Sequence, residues 1–214
     1  MKMQKVNKLL LIAGFISLLV FTVACEQEYF PKPKGFNRIE LPPHQYQALA
    51  DTFPYYFEYS EQAKILKDSS WISERFWIEV FYPEMDATFE ITYKPILGNP
   101  DRLKEYYETA YRLTAQHQAK AYSIERGDVR LPDGKTAIVV ELEGEVPSQF
   151  QFYTTDSTMH FLRGALYFKT ATQNDSLAPV IEYLKIDMMH LLNTLQFDQD
   201  FPSEILQNIE QIDL

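Results

Sequence analysis

The sequence predicts an α+β fold, a single domain in which hairpin-rich strands form an antiparallel sheet and two main helices pack on it. Three observations lead there. Two β-rich runs flank a short loop within Phe76–Ile96, and a second such pair spans Gln149–Lys169. Two segments repeat apolar residues at three- and four-residue spacing, one after Asn99 and one after Asp175. The chain has 214 residues and one cysteine, a length that suits one domain held by its core without a disulfide framework.

From the N-terminus, Lys2, Lys5 and Lys8 precede Leu9–Ala24, a run of 16 residues without a charge. A bilayer-spanning helix wants about 20 such residues, so the run reads as the core of a signal peptide. It ends in Thr22-Val23-Ala24-Cys25. A small residue directly before a cysteine is the layout of a lipoprotein signal, in which the cysteine is lipidated and becomes the new N-terminus. An uncleaved anchor with an incidental thiol is the alternative. Lipidation is preferred because the chain's one cysteine sits where the signal requires it, and two or more acyl chains suffice for stable anchoring. Residues 1–24 are therefore expected as the leader and 25–43 as a lipidated tether. The tether holds Pro31, Pro33, Pro42 and Pro43, a composition that favours an extended chain. Residues 44–197 are expected as the α+β domain and 198–214 as an acidic tail with room for a short helix.

Phe36–Leu41 alternates enough to pair as a first strand, and Tyr55–Leu66 reads as another. The Phe76–Ile96 hairpin turns at Pro83-Glu84-Met85-Asp86. Asn99-Pro100-Asp101 is a helix start, with a capping Asn, proline at the first helical position and an acid in the first turn. That helix is expected to reach Lys120, with Leu103, Tyr106, Tyr107, Ala110, Leu113, Thr114 and His117 on one stripe. Pro132-Asp133-Gly134-Lys135 is turn chemistry leading into a strand at Thr136–Gly144. Gln149–Thr155 and His160–Lys169 form the second hairpin. In its second strand Leu162, Gly164, Leu166 and Phe168 oppose Phe161, Arg163, Ala165 and Tyr167, so the sheet is expected to be covered on both faces. The last main helix starts near Asp175, takes Pro179 in its first turn and runs to Leu195.

Charge narrows the function. Three of the 20 basic residues precede Cys25, so the remainder carries 30 acidic against 17 basic side chains. Such a body has no electrostatic footprint for phosphate backbones, and nucleic acid is not expected as a partner. No Walker-A or dinucleotide glycine pattern occurs, and an exported domain meets no ATP or NAD(P)H pool, so no cofactor is expected.

Few constellations could carry chemistry. Asp187 and His190, three apart on a helix, are a candidate metal pair. A solvated pair on the polar side of that helix is the preferred reading, and no metal is expected. Ser157 with Asp156 and His160 invites a hydrolase reading, with Ser157 as nucleophile. An Asp/Ser turn capping its own backbone is preferred, because no nucleophile elbow surrounds the serine. Glu141, Glu143 and Glu145 could pair as acid and base on a glycoside, but alternating Glu is more often the wet face of a sheet. Arg163 sits mid-strand among apolar residues and needs a carboxylate or an aromatic face. Asp156 and Asp175 are the expected partners, and a structural and a docking role stand equal.

Pro31-Lys32-Pro33-Lys34-Gly35-Phe36 with Arg38-Ile39 resembles the start of mature gliding-motility lipoproteins of the GldD family from Bacteroidetes-type bacteria. Thr155-Asp156-Ser157 with His160–Phe168 is similar to that family's signature hairpin, and Asn174-Asp175-Ser176-Leu177 with Pro179-Val180 to its next block. Asn37 and Gln173 depart from the pattern. The resemblance implies a non-catalytic envelope lipoprotein, lipid-anchored on the periplasmic side, that serves gliding motility and type IX protein secretion. Its implied partners are other envelope proteins of that machinery, with Arg38, Asp156, His160 and Arg163 as candidate contact residues. The order of hairpins and helices is also similar to the Mog1/PsbP type of fold. An envelope hydrolase using Ser157 and His160, or a carrier of a lipid or small ligand, are the alternatives.

Overall fold

Alternation of apolar and polar side chains builds the first hairpin. Ile78, Val80 and Tyr82 are buried on strand β5 (Ile78–Tyr82), and Ala87, Phe89, Ile91 and Tyr93 on β6 (Ala87–Pro95). A single 3-10 turn at Pro83–Met85 joins them, where the sequence places the loop. The structure, a computed structural model, describes residues 41–168 and 174–209. The leader, Cys25, Arg38 and all of the first expected strand except Leu41 lie outside the described residues, as does Gln173.

The chain continues with helix α1 (Pro100–Ala115) and strands β7 (Ala121–Arg130), β8 (Thr136–Gly144), β9 (Ser148–Thr155) and β10 (His160–Phe168). With the short β4 (Lys64–Lys67), these form a seven-stranded sheet in the order β4-β5-β6-β10-β9-β8-β7, antiparallel at every pairing. Helix α1 carries the chain from β6, inside the sheet, to its outer edge at β7. The β7–β8 and β9–β10 hairpins then bring it back to pair with β6.

Asn99 caps α1 as expected, its side chain accepting the Asp101 N–H at 2.9 Å. The helix ends at Ala115, so His117 lies in the turns beyond it rather than on the helical stripe. Helix α2 (Asn174–Thr194) starts one residue before Asp175, and this puts Pro179 in its second turn rather than its first.

The main core lies between one sheet face and α2. Phe89, Phe152, Leu162 and Leu166 meet Leu184, Met188, Leu191 and Leu192 there. Each fully buried side chain of this size contributes about 1.5–3 kcal/mol. Gly164 allows the closest approach, since a Cβ there would fall 2.3 Å from the Phe152 ring. On the opposite face α1 covers a smaller cluster of Ile96, Ala110, Tyr153 and Phe161. Strands β9 and β10 are consequently buried on both sides, as the apolar character of both faces predicts.

Two further expectations change. Tyr55–Leu66 is not one strand. It divides into β2 (Tyr55–Tyr56), β3 (Glu58–Ser60) and β4, because a turn in which Ser60 Oγ accepts the Gln62 N–H breaks the run. Strand β3 pairs with β1 (Tyr46–Ala48), and β2 with β11 (Gln196–Phe197). Strand β7 was not expected at all. Its sequence, Ala-Tyr-Ser-Ile-Glu-Arg-Gly-Asp-Val-Arg, carries four charges and a glycine, the composition of an exposed edge strand. The segment from Asp198 forms α3 (Ser203–Gln207) and sends Leu206 and Ile209 into the main core.

Candidate functional site

The turn at 155–160 is built from its own backbone. Asp156 Oδ1 accepts the N–H groups of Thr158 at 3.0 Å and of Met159 and His160 at 2.9 Å. Gln199 Nε2 donates to the other carboxylate oxygen at 3.3 Å. Burial works to raise the Asp156 pKa, but these donors outweigh it and hold the carboxyl below its ordinary value. Ser157 adopts φ 68°, and its N–H donates to Thr155 Oγ1 at 2.8 Å. This is the Asp/Ser turn that caps itself.

His160 is 1% exposed. Its Nδ1 lies 2.7 Å from the Tyr93 hydroxyl, its ring bonds the Asp198 backbone, and Phe197 stacks on it at 5.1 Å. Burial keeps it neutral by lowering its pKa, against the opposing pull of Asp156 and Asp198. These contacts direct the imidazole toward Tyr93 and the 196–199 segment, not toward Ser157 as a base for a nucleophile.

Arg163 is buried beneath α1, and among the described residues its hydrogen-bond partner is not Asp156. Its Nη2 donates to Gln151 Oε1 at 3.2 Å, and Thr114 of α1 donates to the same oxygen at 2.9 Å. The guanidinium thereby ties β10 and β9 to the covering helix, and it draws down the pKa of Glu90, which burial raises. Asp156 is held by its own turn, and the Asp175 side chain lies outside the described residues. Of the three glutamates, Glu141 pairs with Lys185 of α2, while Glu143 and Glu145 are exposed.

A second polar centre escapes sequence reasoning. Asp187, on α2, is 1% exposed rather than solvated. His44 Nδ1 donates to its Oδ1 at 2.6 Å and Tyr46 to the same oxygen at 3.1 Å, while Tyr82 reaches Oδ2 at 3.0 Å. Burial, with the adjacent carboxylate, raises the Tyr46 and Tyr82 pKa values, so both phenols stay protonated and donate. His44 stacks on Tyr183 at 4.2 Å and Tyr46 on His190 at 3.5 Å. His190 turns to Glu58, 2.8 Å from its Nε2. Asp187 and His190 therefore do not converge on a common metal position. Among the described residues no group of three or more His, Cys, Asp or Glu side chains could hold a metal ion. The centre fastens β1 and β3 to α2, and it fixes the tautomer of His44 with Nδ1 protonated.

A cavity of about 170 Å³ opens between the end of α1 and the sheet, lined by Tyr111, Ile124, Val140 and Tyr153, with Arg126 over the Tyr153 ring at 5.7 Å. Among the described residues, no helix is long and apolar enough to cross a membrane.

Fold and sites together define an α+β domain in which the sequence-selected Asp156, His160 and Arg163 bond within the domain. Comparison with protein families goes further. The chain belongs to the gliding motility lipoprotein GldD family, whose model matches residues 26–197. Membership carries a role in gliding motility and a lipoprotein's place in the cell envelope. No curated protein matches the chain. Among solved structures, the solution structure of cyanobacterial PsbP from Synechocystis sp. PCC 6803 aligns with a TM-score of 0.40 at 12% identity, covering 75% of this chain and 97% of that chain.

Proposed function

We propose that the protein is anchored on the periplasmic side of a membrane through a lipidated Cys25 and serves gliding motility and type IX protein secretion as a protein-interaction component. The observation that carries this reading is the family match, which begins at Glu26, the residue directly after that cysteine. The bonding of Asp156 within its own turn and of His160 to Tyr93 speaks against a catalytic use of Ser157.

The experiment is a Cys25→Ala replacement in cells, with fractionation and colony spreading as readouts. It should leave unprocessed or soluble protein and abolish spreading. A mature, membrane-attached variant would refute the anchor. In parallel, Ser157→Ala should spread and secrete normally, since the turn's bonds come from the Asp156 and Thr155 side chains. Loss of both at normal abundance would favour the hydrolase.

A further inference from the structure

Strand β7 ends the sheet, and among the described residues nothing pairs with its outer edge. It is ten residues long, and Ile124, Glu125, Arg126, Gly127 and Asp128 are all exposed. An open edge of this length is a template for another strand unless the protein blocks it.

The ladder fixes which groups that edge offers. The Leu131 N–H donates to the Lys135 carbonyl at 2.8 Å at the hairpin end. Hydrogen-bonded and non-hydrogen-bonded positions alternate along an antiparallel pair. Residues 129, 127 and 125 therefore turn their N–H and C=O inward to β8, and residues 124, 126, 128 and 130 turn theirs outward.

The geometry points to a second copy of this chain as the occupant, its β7 running antiparallel to the first across a two-fold axis at Gly127. In that register Arg126 of each copy stands opposite Asp128 of the other, and Ile124 opposite Arg130, all with outward-facing backbone groups. The charge pattern selects this register over its neighbours. Sliding the pairing by one step toward Arg126 sets that residue against its own copy. Sliding it the other way sets Asp128 against Asp128 and Arg126 against Arg130. Cross-strand pairs of opposite charge stabilise and like charges destabilise. The strand is also locally neutral, with Glu125 and Asp128 balancing Arg126 and Arg130, in a chain of net charge −10. Two acidic bodies thus meet where their repulsion is least. A two-fold contact of this kind is self-complementary and closed.

Gly127 supplies the test. It would face its own copy in a non-hydrogen-bonded pair, with Cα atoms about 4.5 Å apart, a spacing a disulfide accepts. A Cβ there would meet nothing within 4 Å in one copy. Two positions away, Glu125 would lie about 13 Å from its counterpart, beyond disulfide reach. Full-length Gly127→Cys and Glu125→Cys variants, in whichever cell fraction holds the chain, are oxidised with copper phenanthroline and run on non-reducing gels beside the unsubstituted chain. Gly127→Cys should give a dimer roughly tenfold more abundant than Glu125→Cys. Adding Arg126→Asp should remove the dimer, and adding Asp128→Arg to that variant should restore it. Equal cross-linking at both positions, none at Gly127→Cys, or a product with a protein of another mass overturns the pairing. Failure of the double charge swap to restore the dimer overturns the register.

Discussion

Asp156 and Asp187 are two carboxylates that each collect at least three hydrogen bonds, and they do so over opposite distances along the chain. Asp156 takes its three backbone donors from within four residues. Asp187 takes its donors from residues 143, 141 and 105 positions away. The first shapes a loop that the local sequence already favours. The second joins β1, β5 and α2, which come together only when the whole domain has folded. Removing a locally used acid therefore loosens one turn, whereas removing the distant one leaves donors on β1, on β5 and just ahead of β1 without their acceptor.

The largest effect should follow at the distant centre. Asp187→Ala is expected to lower the unfolding free energy by about 3 kcal/mol, the cost of breaking a buried pair by removing one partner. Asp187→Asn, which keeps an acceptor oxygen, should cost less, and urea denaturation of both variants measures the gap. Equal losses would mean that the charge, not the acceptor geometry, holds the elements together. At the local centre Asp156→Ala should cost about 1–2 kcal/mol, the scale of a lost cap. The pH dependence sharpens the contrast. The folded Asp156 pKa lies below its ordinary value of 3.8, so its stabilisation is present at neutral pH and drains away as pH falls below that value. Asp156→Asn should flatten that acid limb.

The smallest effect belongs to His160. Burial holds its folded pKa below 6.5, so on acidification the unfolded chain takes up the proton first. Its contribution is complete above pH 6.5 and is lost as pH falls through that value. His160→Gln should remove this slope between pH 7 and 5 in thermal melts. An unchanged slope would assign it to another group.

The same contrast of distances explains what the sequence reveals. The β5–β6 and β9–β10 hairpins, the β8 strand and the Asn99 cap are legible because their signals lie within a few residues of one another. The self-capping turn at Asp156 is legible for the same reason. The division of Tyr55–Leu66 among three pairings is not, since its partners are β1, β11 and β5. Strand β7 escapes because hydrogen bonding to β8, not apolar periodicity, holds it in place. Arg163 is legible as a residue in need of a partner. Its partner Gln151 is chosen by the register of β9 against β10, which no local pattern encodes. Asp187 reads as a solvated acid on a helix, because His44, Tyr46 and Tyr82 converge on it only in three dimensions.

That convergence has a mechanical side. His44 directly follows Pro42-Pro43, and its bond to Asp187 is made to the interior of a helix of 21 residues. A tug on the chain ahead of His44 is thus delivered to the middle of the longest helix among the described residues, and through that rod to the packed leucines behind it. The Tyr82 hydroxyl on the same carboxylate passes part of that load to β5, so helix and sheet take it up together through a ring of phenol and imidazole contacts.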